Sequence, residues 1–512
     1  MDSTVAGKRL ATGAIANWCA FAANLLVAFF LAPFLIHKLG DAQYGLWIFI
    51  ESLLAYLTLF DLGLAASLVR FLARYEAQGE ITLRNRLVNT ALAFYAGLGG
   101  GAFLIGALAI PWFTLRVTHQ EPLPQNEMIF FGILMACNLG LTLPLSVFPS
   151  ILDGLGRFGL KSIVRIVVLT LKTLAILICM ETQPSLLGLG IILFCANLLE
   201  HAIIAGVCSV LLRDLKFSRA LIHRETFQQI KGYSLNAFVL MLAGRASVQT
   251  GPILVGLFLS APEVTFFGIA WRLSEFAKAL PRSATNTLTT AFSRFDAQRN
   301  LAESQRLFLN ASRLALWVIL PIQLGLFFQG PSFLETWLGS PTHAQQVYPS
   351  LVILSSVLTL LIAQSVAARV LYGAGQLRWF ARWACVEAII NLTLGIVLAP
   401  RYGIKGVAWG MIIPNLFMNV WVIREAIRLL GIPLQKYLLS TLMPVLCGAS
   451  LLCGAWLLLG APSVGWQNLI LNGVQALLPY VLFVFIWERW LQPIRQRIAE
   501  TKIPSPEWVS LR

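Results

Sequence analysis

A series of apolar runs, each long enough to be a membrane-crossing helix, recurs from one end of this 512-residue chain to the other. A hydrocarbon core about 30 Å thick takes about twenty helical residues to cross. Runs of that kind lie at 10–36, 46–69, 87–111, 128–151, 162–181, 186–212 and 232–259. Seven more follow at 266–290, 307–330, 348–371, 380–399, 405–428, 437–460 and 468–489, with Pro400 and Gly403 separating the eleventh from the twelfth. In lipid only helices and closed barrels satisfy every backbone polar group. Continuous apolar runs rather than alternating ones select the helix, so the expected fold is an all-α membrane protein of about fourteen spans.

Composition agrees, because only 12% of residues are charged and 58% are hydrophobic, against about 25% charged in a soluble domain. The net charge of +15 does not describe a nucleic-acid binder. The bases fall in short clusters between apolar runs, which is how charges orient a membrane protein. With the N-terminus cytoplasmic, 26 Lys and Arg lie in inner connections and the tail, against four outside (Lys38, Arg116, Arg401, Lys405). Both termini are therefore expected in the cytoplasm. The connections are short and leave no room for a soluble catalytic domain. The eight cysteines all lie inside apolar runs without a CxxC pair, so neither a metal site nor a disulfide framework is expected.

The chain repeats itself. ARYEAQ at 73–78 matches SRFDAQ at 293–298, an offset of 220, and LDGLGRF at 152–158 matches LYGAGQL at 371–377, an offset of 219. Pro33 meets Pro252 at the same offset, and Tyr44-Gly45 resembles Phe267-Gly268. An even number of spans separates the copies, so both point the same way through the membrane. The expected organisation is an N-lobe at 1–212 (spans 1–6) and a linker at 213–231. A C-lobe at 232–430 (spans 7–12), two further helices at 431–490 and a tail at 491–512 complete it. The linker alternates basic and apolar residues (Leu215, Phe217, Leu221, Ile222, Phe227) and reads either as an interfacial helix or as a solvated loop. Duplicated lobes suit alternating access.

HKLGDAQYGLW at 37–47, FDLGLAASLVRFLARYEAQGE at 60–80 and the LDGLGRF loop resemble the Wzx-type polysaccharide-biosynthesis flippases. Those belong to the multidrug/oligosaccharidyl-lipid/polysaccharide exporter superfamily, with the MATE exporters and the lipid II flippase. The resemblance runs from about Leu10 to Arg428. It implies a MATE-like pair of six-helix lobes and the translocation of an undecaprenyl-pyrophosphate-linked oligosaccharide across the bacterial inner membrane. That would serve O-antigen, lipopolysaccharide or another surface polysaccharide, beside a polymerase and a chain-length regulator. It carries no short catalytic motif and no cofactor.

Charge placement supplies the candidate site, because ionisable groups inside a membrane are costly and face a cavity or a partner. Arg272, Glu275, Lys278 and Arg282 in span 8 fall within about 120° of one helix face at 100° per residue. A cationic wall for a pyrophosphate is one reading, built from Arg245, Arg272, Lys278, Arg282 and Lys172. An Arg272–Glu275 pair within the helix is the other. Asp61 and Glu51 on span 2, Glu275 and Glu200 are candidates to couple transport to H+ or Na+; Asp61 could instead cap a kink beside Gly63. Glu200-His201 reads as a relay or as packing, and Lys172 and Arg165 as headgroup contacts or as partners of Glu200. Alternatives to the flippase are a MATE-like exporter of cationic drugs, a membrane polymerase or ligase, and a passive scaffold. The excess of intramembrane bases argues against the exporter, and the short loops argue against the enzyme. No GxxxxGK[ST] loop occurs, so ATP hydrolysis by this chain is not expected.

Overall fold

The computed structural model describes residues 3–118, 124–223, 249–460 and 462–491, with Glu225, Thr226, Gln228, Leu242 and Arg245. Among the described residues there is no strand. The first helices are α1 (Ser3–Leu57), α2 (Leu64–Gln78), α3 (Ile81–Thr118), α4 (Gln125–Leu145), α5 (Val147–Gly154), α6 (Phe158–Thr182) and α7 (Leu186–Leu211). After α8 (Gln249–Phe258) come α9 (Ala261–Asn286), α10 (Leu288–Ala297), α11 (Leu301–Phe328), α12 (Gly330–Leu338), α13 (Pro341–Ser355) and α14 (Leu358–Gly373). The last are α15 (Leu377–Leu429), α16 (Leu434–Leu459) and α17 (Trp466–Ile486).

Ten helical stretches among the described residues are long and apolar enough to cross a membrane. Two of them, Ala16–Asp61 and Arg378–Leu429, hold 46 and 52 residues. At 1.5 Å per residue each exceeds twice the thickness of a bilayer core. Each covers two of the expected spans, and one non-helical glycine divides it: Gly40 (φ 76°, ψ 166°) and Gly403 (φ 59°, ψ −143°). Helix α9 has 26 residues, enough length for a crossing, but its charges keep it out of the apolar set. The expected seventh span lies mostly outside the described residues; α8 is its last part.

The chain forms two compact units, Met1–Ile269 with Ala381–Pro414, and Ala270–Phe380 with Asn415–Arg512. In unit 1, Leu68, Leu72, Tyr95, Val147, Ile151, Leu152, Ile204 and Cys208 share a buried core. Its polar contacts join ends that the alternation of spans places on one side of a membrane. Lys38 Nζ lies 2.7 Å from Glu181, and Arg84 lies 2.5 Å from Asp214. Lys161 pairs with Asp153.

Unit 2 is built around Phe308, Trp317, Ile362, Val366, Tyr437, Trp456 and Tyr480. Here too the contacts respect sidedness: Gln305 donates to the Leu430 carbonyl at 2.8 Å, and Ser332 to the Pro462 carbonyl at 2.8 Å. The last two helices are locked in by charge. Arg313 Nε and Nη2 reach the two carboxylate oxygens of Glu488 at 2.6 and 3.0 Å, and Nη1 donates to the Ser440 carbonyl at 3.0 Å. Trp317 Nε1 donates to the same carboxylate at 2.9 Å. The buried guanidinium is thereby paired and hydrogen-bonded, the condition under which such a charge is tolerated.

The internal repeat appears in the backbone. Gly156 (φ 67°) and Gly375 (φ 73°), 219 residues apart, are both left-handed. A Cβ on Gly154 would meet Leu72 Cβ at 2.7 Å, and one on Gly373 would meet Phe292 Cβ at 2.7 Å. Gly373 is 219 residues from Gly154, and Phe292 is 220 from Leu72. The turns after ARYEAQ and SRFDAQ also agree, closing on Gly79 (φ 70°) and Arg299 (φ 51°), again 220 apart.

In the expected linker, residues 215–223 form a strap without regular structure apart from one 3-10 turn at Arg219–Leu221, and Glu225, Thr226 and Gln228 after it are helical. Asn85 and Asn89, one turn apart on α3, donate to the carbonyls of Asp214 (2.9 Å) and Lys216 (2.7 Å). Asn89 Oδ1 and Thr90 Oγ1 accept from the backbone N–H groups of Ser218 (2.9 Å) and His223 (3.1 Å). These side chains take the backbone groups that a helix would pair internally. The Arg84 guanidinium holds the Asp214 carboxyl below the usual carboxylate range.

Candidate functional site

The charges of α9 form one group in unit 2. Pairing within it runs toward the C-terminal end of the helix: Lys278 Nζ bonds to Glu275, and Arg282 Nη1 stands 3.6 Å from the other carboxylate oxygen. Lys278 is buried, whereas Arg272, Glu275 and Arg282 are half-buried. Helix α14 brings Arg369 into the field of Arg282. The Arg369 guanidinium stacks over Tyr372 at 5.3 Å, and Tyr372 meets Phe380 edge-on at 5.2 Å. Thr285 and Ser365 hydroxyls, 3.4 Å apart, tie the two helices together. Lys278 and Arg282 therefore share one carboxylate, with Arg369 beside Arg282. Glu275 lets like charges gather, and a set of guanidinium and ammonium groups suits a multiply charged anion.

Arg369 is one of the intramembrane bases read from the sequence, but its place beside Arg282 and its contact with Tyr372 were not. Their i,i+3 spacing on one helix face was the available signal. Arg245 is helical and half-buried in unit 1, between residues outside the described set.

Lys172 belongs to a different group, in unit 1, where the charges acting on it are Glu200 and Glu51. Arg165 Nε, one heptad before Lys172 on α6, is 3.3 Å from Glu200 Oε1. Of the two readings for Arg165, pairing with Glu200 is the one observed. His201 is buried and its Nδ1–H donates to the Asn197 carbonyl at 2.9 Å, a packing contact within α7. Asn197 in turn donates to Asn138 (2.6 Å) and Thr142 (2.5 Å) on α4.

Asp61 closes the 3-10 turn Thr58–Asp61, and Leu62 (φ 51°) and Gly63 (φ 73°) break the helix directly after it. Its carboxylate accepts from the buried Tyr95 hydroxyl at 2.5 Å. Tyr95 also hydrogen-bonds to Ser146, which sits where α4 gives way to α5. One tyrosine on α3 thus pins two helix breaks. No group of three or more His, Cys, Asp or Glu side chains among the described residues could hold a metal ion.

Residues 157–344 match the family described as polysaccharide biosynthesis protein. The chain is 21% identical over 217 residues to the probable low-salt glycan biosynthesis flippase Agl15 of Haloferax volcanii, a match covering 42% of this chain and 45% of that protein. It thus spans less than half the length of that relative. The fold is similar to that of the lipid II flippase MurJ in an inward closed conformation, with a TM-score of 0.72 and 14% identity over 94% of this chain and 99% of that one. An inward-facing MATE multidrug resistance transporter of the MOP superfamily gives 0.67 and 15%, over 80% and 94%. A MOP superfamily transporter from Pyrococcus furiosus, described by the reverse polarity of its binding pocket, gives 0.59 and 13%, over 83% and 96%. The all-α, MATE-like fold expected from the sequence is the fold observed. These similar proteins are flippases and transporters rather than enzymes.

Proposed function

We propose that this multi-pass membrane protein, built on the fold of the MOP-superfamily transporters, is a flippase for an undecaprenyl-pyrophosphate-linked oligosaccharide. It moves that substrate across the bacterial inner membrane by alternating access, with both termini in the cytoplasm, for assembly of O-antigen or a related surface polysaccharide. A polymerase and a chain-length regulator are its natural neighbours. The polysaccharide-biosynthesis match and the glycan flippase relative support the substrate class.

The observation that carries the reading is the cation excess on α9 and α14. Lys278, Arg282 and Arg369 outnumber Glu275 in unit 2, and Arg272 adds to the basic side. Guanidinium groups bind phosphate oxygens through two parallel hydrogen bonds, so a pyrophosphate fits where a cationic drug would be repelled. That sign of charge weighs against a MATE-like exporter, although the fold is shared.

Coupling to H+ or Na+ is assigned to Asp61, the carboxylate at a helix break. Glu51, Glu200 and Glu275 each lie among cations. Asp61→Asn should leave folded protein in detergent and remove any dependence of flipping on an imposed gradient. Wild-type flipping that ignores both gradients would refute coupling.

The main test is complementation of a strain lacking this gene. Arg282→Ala and Arg369→Ala should each abolish surface polysaccharide at normal protein levels, and Lys at either position should restore only part of it. Full polysaccharide with both arginines replaced by Ala would remove the cation group from the mechanism.

A further inference from the structure

The four charges of unit 1 lie in an unusual place. On α6 the exposed apolar residues Ile163, Val167, Leu171, Leu174 and Ile178 form one continuous stripe, the surface a lipid-facing helix requires. At 100° per residue, Arg165 and Lys172 project about 150° away from the centre of that stripe, on the side where Val168, Ile176 and Met180 are buried. The Arg165 side chain is nevertheless 48% exposed. On α7 the exposed residues Ile191, Leu199 and Val210 mark the same kind of stripe, and Glu200 points about 120° from its centre. Glu51 makes the case independently. Its neighbours Ile48, Phe49, Ile50 and Ser52 are all buried, and Glu51 is exposed. The half of α1 after Gly40 exposes no apolar side chain, so Glu51 has an internal opening rather than lipid to be exposed to.

The depths agree. Measured from the ends of their helices that share a side with Gly40, Glu51, Lys172, Glu200 and Arg165 lie about 15 to 26 Å along, at 1.5 Å per residue. Two of the four, Glu51 and Arg165, are exposed and the other two half-buried. All lie within about 11 Å of depth, turned from lipid toward an open polar surface.

That surface differs chemically from the group on α9 and α14. Two carboxylates and two cations sum to zero, and the set offers acceptors and donors side by side. A cationic wall selects phosphate. A neutral set of this kind selects vicinal hydroxyls, which donate to carboxylates and accept from guanidinium and ammonium. We propose that Glu51, Arg165, Lys172 and Glu200 form a saccharide-binding subsite for the neutral sugar headgroup of the lipid-linked substrate. The inference rests on the flippase reading and assigns the substrate's two polar parts to different residues: pyrophosphate to α9 and α14, sugar to α1, α6 and α7.

The test measures binding of two probes to the full chain in nanodiscs: undecaprenyl pyrophosphate, and the same lipid carrying a neutral trisaccharide. Wild type should bind the glycosylated lipid more tightly. The Glu51→Gln/Glu200→Gln and Arg165→Gln/Lys172→Gln variants should each lose about tenfold in affinity for it, the scale of a lost charge-assisted hydrogen bond. Both should keep the wild-type affinity for undecaprenyl pyrophosphate, which also reports that they are folded. Equal losses for the two lipids, or no loss for the glycosylated one, overturn the subsite. A wild type that binds the bare lipid but gains nothing from the sugar overturns it as well and leaves the flippase reading standing. A wild type that binds neither lipid overturns the flippase reading itself.

Discussion

In the first repeat Gly154 lies over Leu72 and Ala73, and in the second Gly373 lies over Phe292 and Ser293. The left-handed residues Gly156 and Gly375 follow each contact by two positions. The side chains that reach open space have not kept this likeness. At an offset of 221, Glu51 on α1 and Asp61 in the 3-10 turn after it correspond to Arg272 and Arg282 on α9, with the sign reversed. Close approach of two backbones admits only a glycine, so those positions stay alike in both copies. A charge beside an opening meets no such limit, and its chemistry is free to follow a ligand. Two copies of one scaffold therefore carry a balanced charge set in unit 1 and a cationic one in unit 2.

The largest effect expected lies in unit 2. Glu488→Ala leaves the Arg313 guanidinium, with a side chain 3% exposed, without its carboxylate. Removing one partner of a buried pair costs about 3–5 kcal/mol, so the thermal midpoint of the detergent-solubilised protein should fall sharply. An unchanged midpoint would mean that the last helices are not held by this pair.

Next come the two glycine contacts, where the copies should respond alike. Gly154→Ala and Gly373→Ala each force a Cβ against a neighbouring helix, an overpacking cost of about 1–3 kcal/mol. Similar losses of midpoint are expected. A large loss at one site and none at the other would break the structural equivalence of the repeats.

The smallest effect concerns a place where the copies differ in backbone strain. A left-handed conformation costs a non-glycine residue about 1–2 kcal/mol, and Arg299 adopts it where its counterpart is Gly79. Arg299→Gly should stabilise the protein by up to about 1 kcal/mol and Gly79→Ala should destabilise it by a similar amount. Equilibrium unfolding of the two variants side by side gives the comparison, and equal signs would contradict it.

Spans, breaks and repeat were legible because each is a local or periodic property. Apolar length marks a helix, Gly403 beside Pro400 marks a turn, and a constant offset marks a duplication. The stripe on α9 was legible for the same reason, since 272, 275, 278 and 282 share a face by arithmetic. What joins it from elsewhere was not. Arg369 comes from a helix almost ninety residues further on, and nothing at Arg282 announces it. Tyr95 pins Asp61 and Ser146 from a third helix, so one sequence reading of Asp61 found the break and missed its partner. The alternation of basic and apolar residues at 213–231 left an interfacial helix and a solvated loop both open, and did not reveal the strap at 215–223. Asn85, Asn89 and Thr90 decide its conformation, and they lie more than a hundred residues earlier in the chain.

Flipping of an undecaprenyl-pyrophosphate-linked oligosaccharide in proteoliposomes, by wild type, the Arg282→Ala/Arg369→Ala variant and Arg428→Ala, tests the central claim most directly. Arg428 is a control, an exposed guanidinium beside Glu425 with no part in the cation group. The account predicts flipping by wild type and by Arg428→Ala, and loss of flipping in the double variant at equal amounts of reconstituted protein. Flipping at the wild-type rate by the double variant would contradict it.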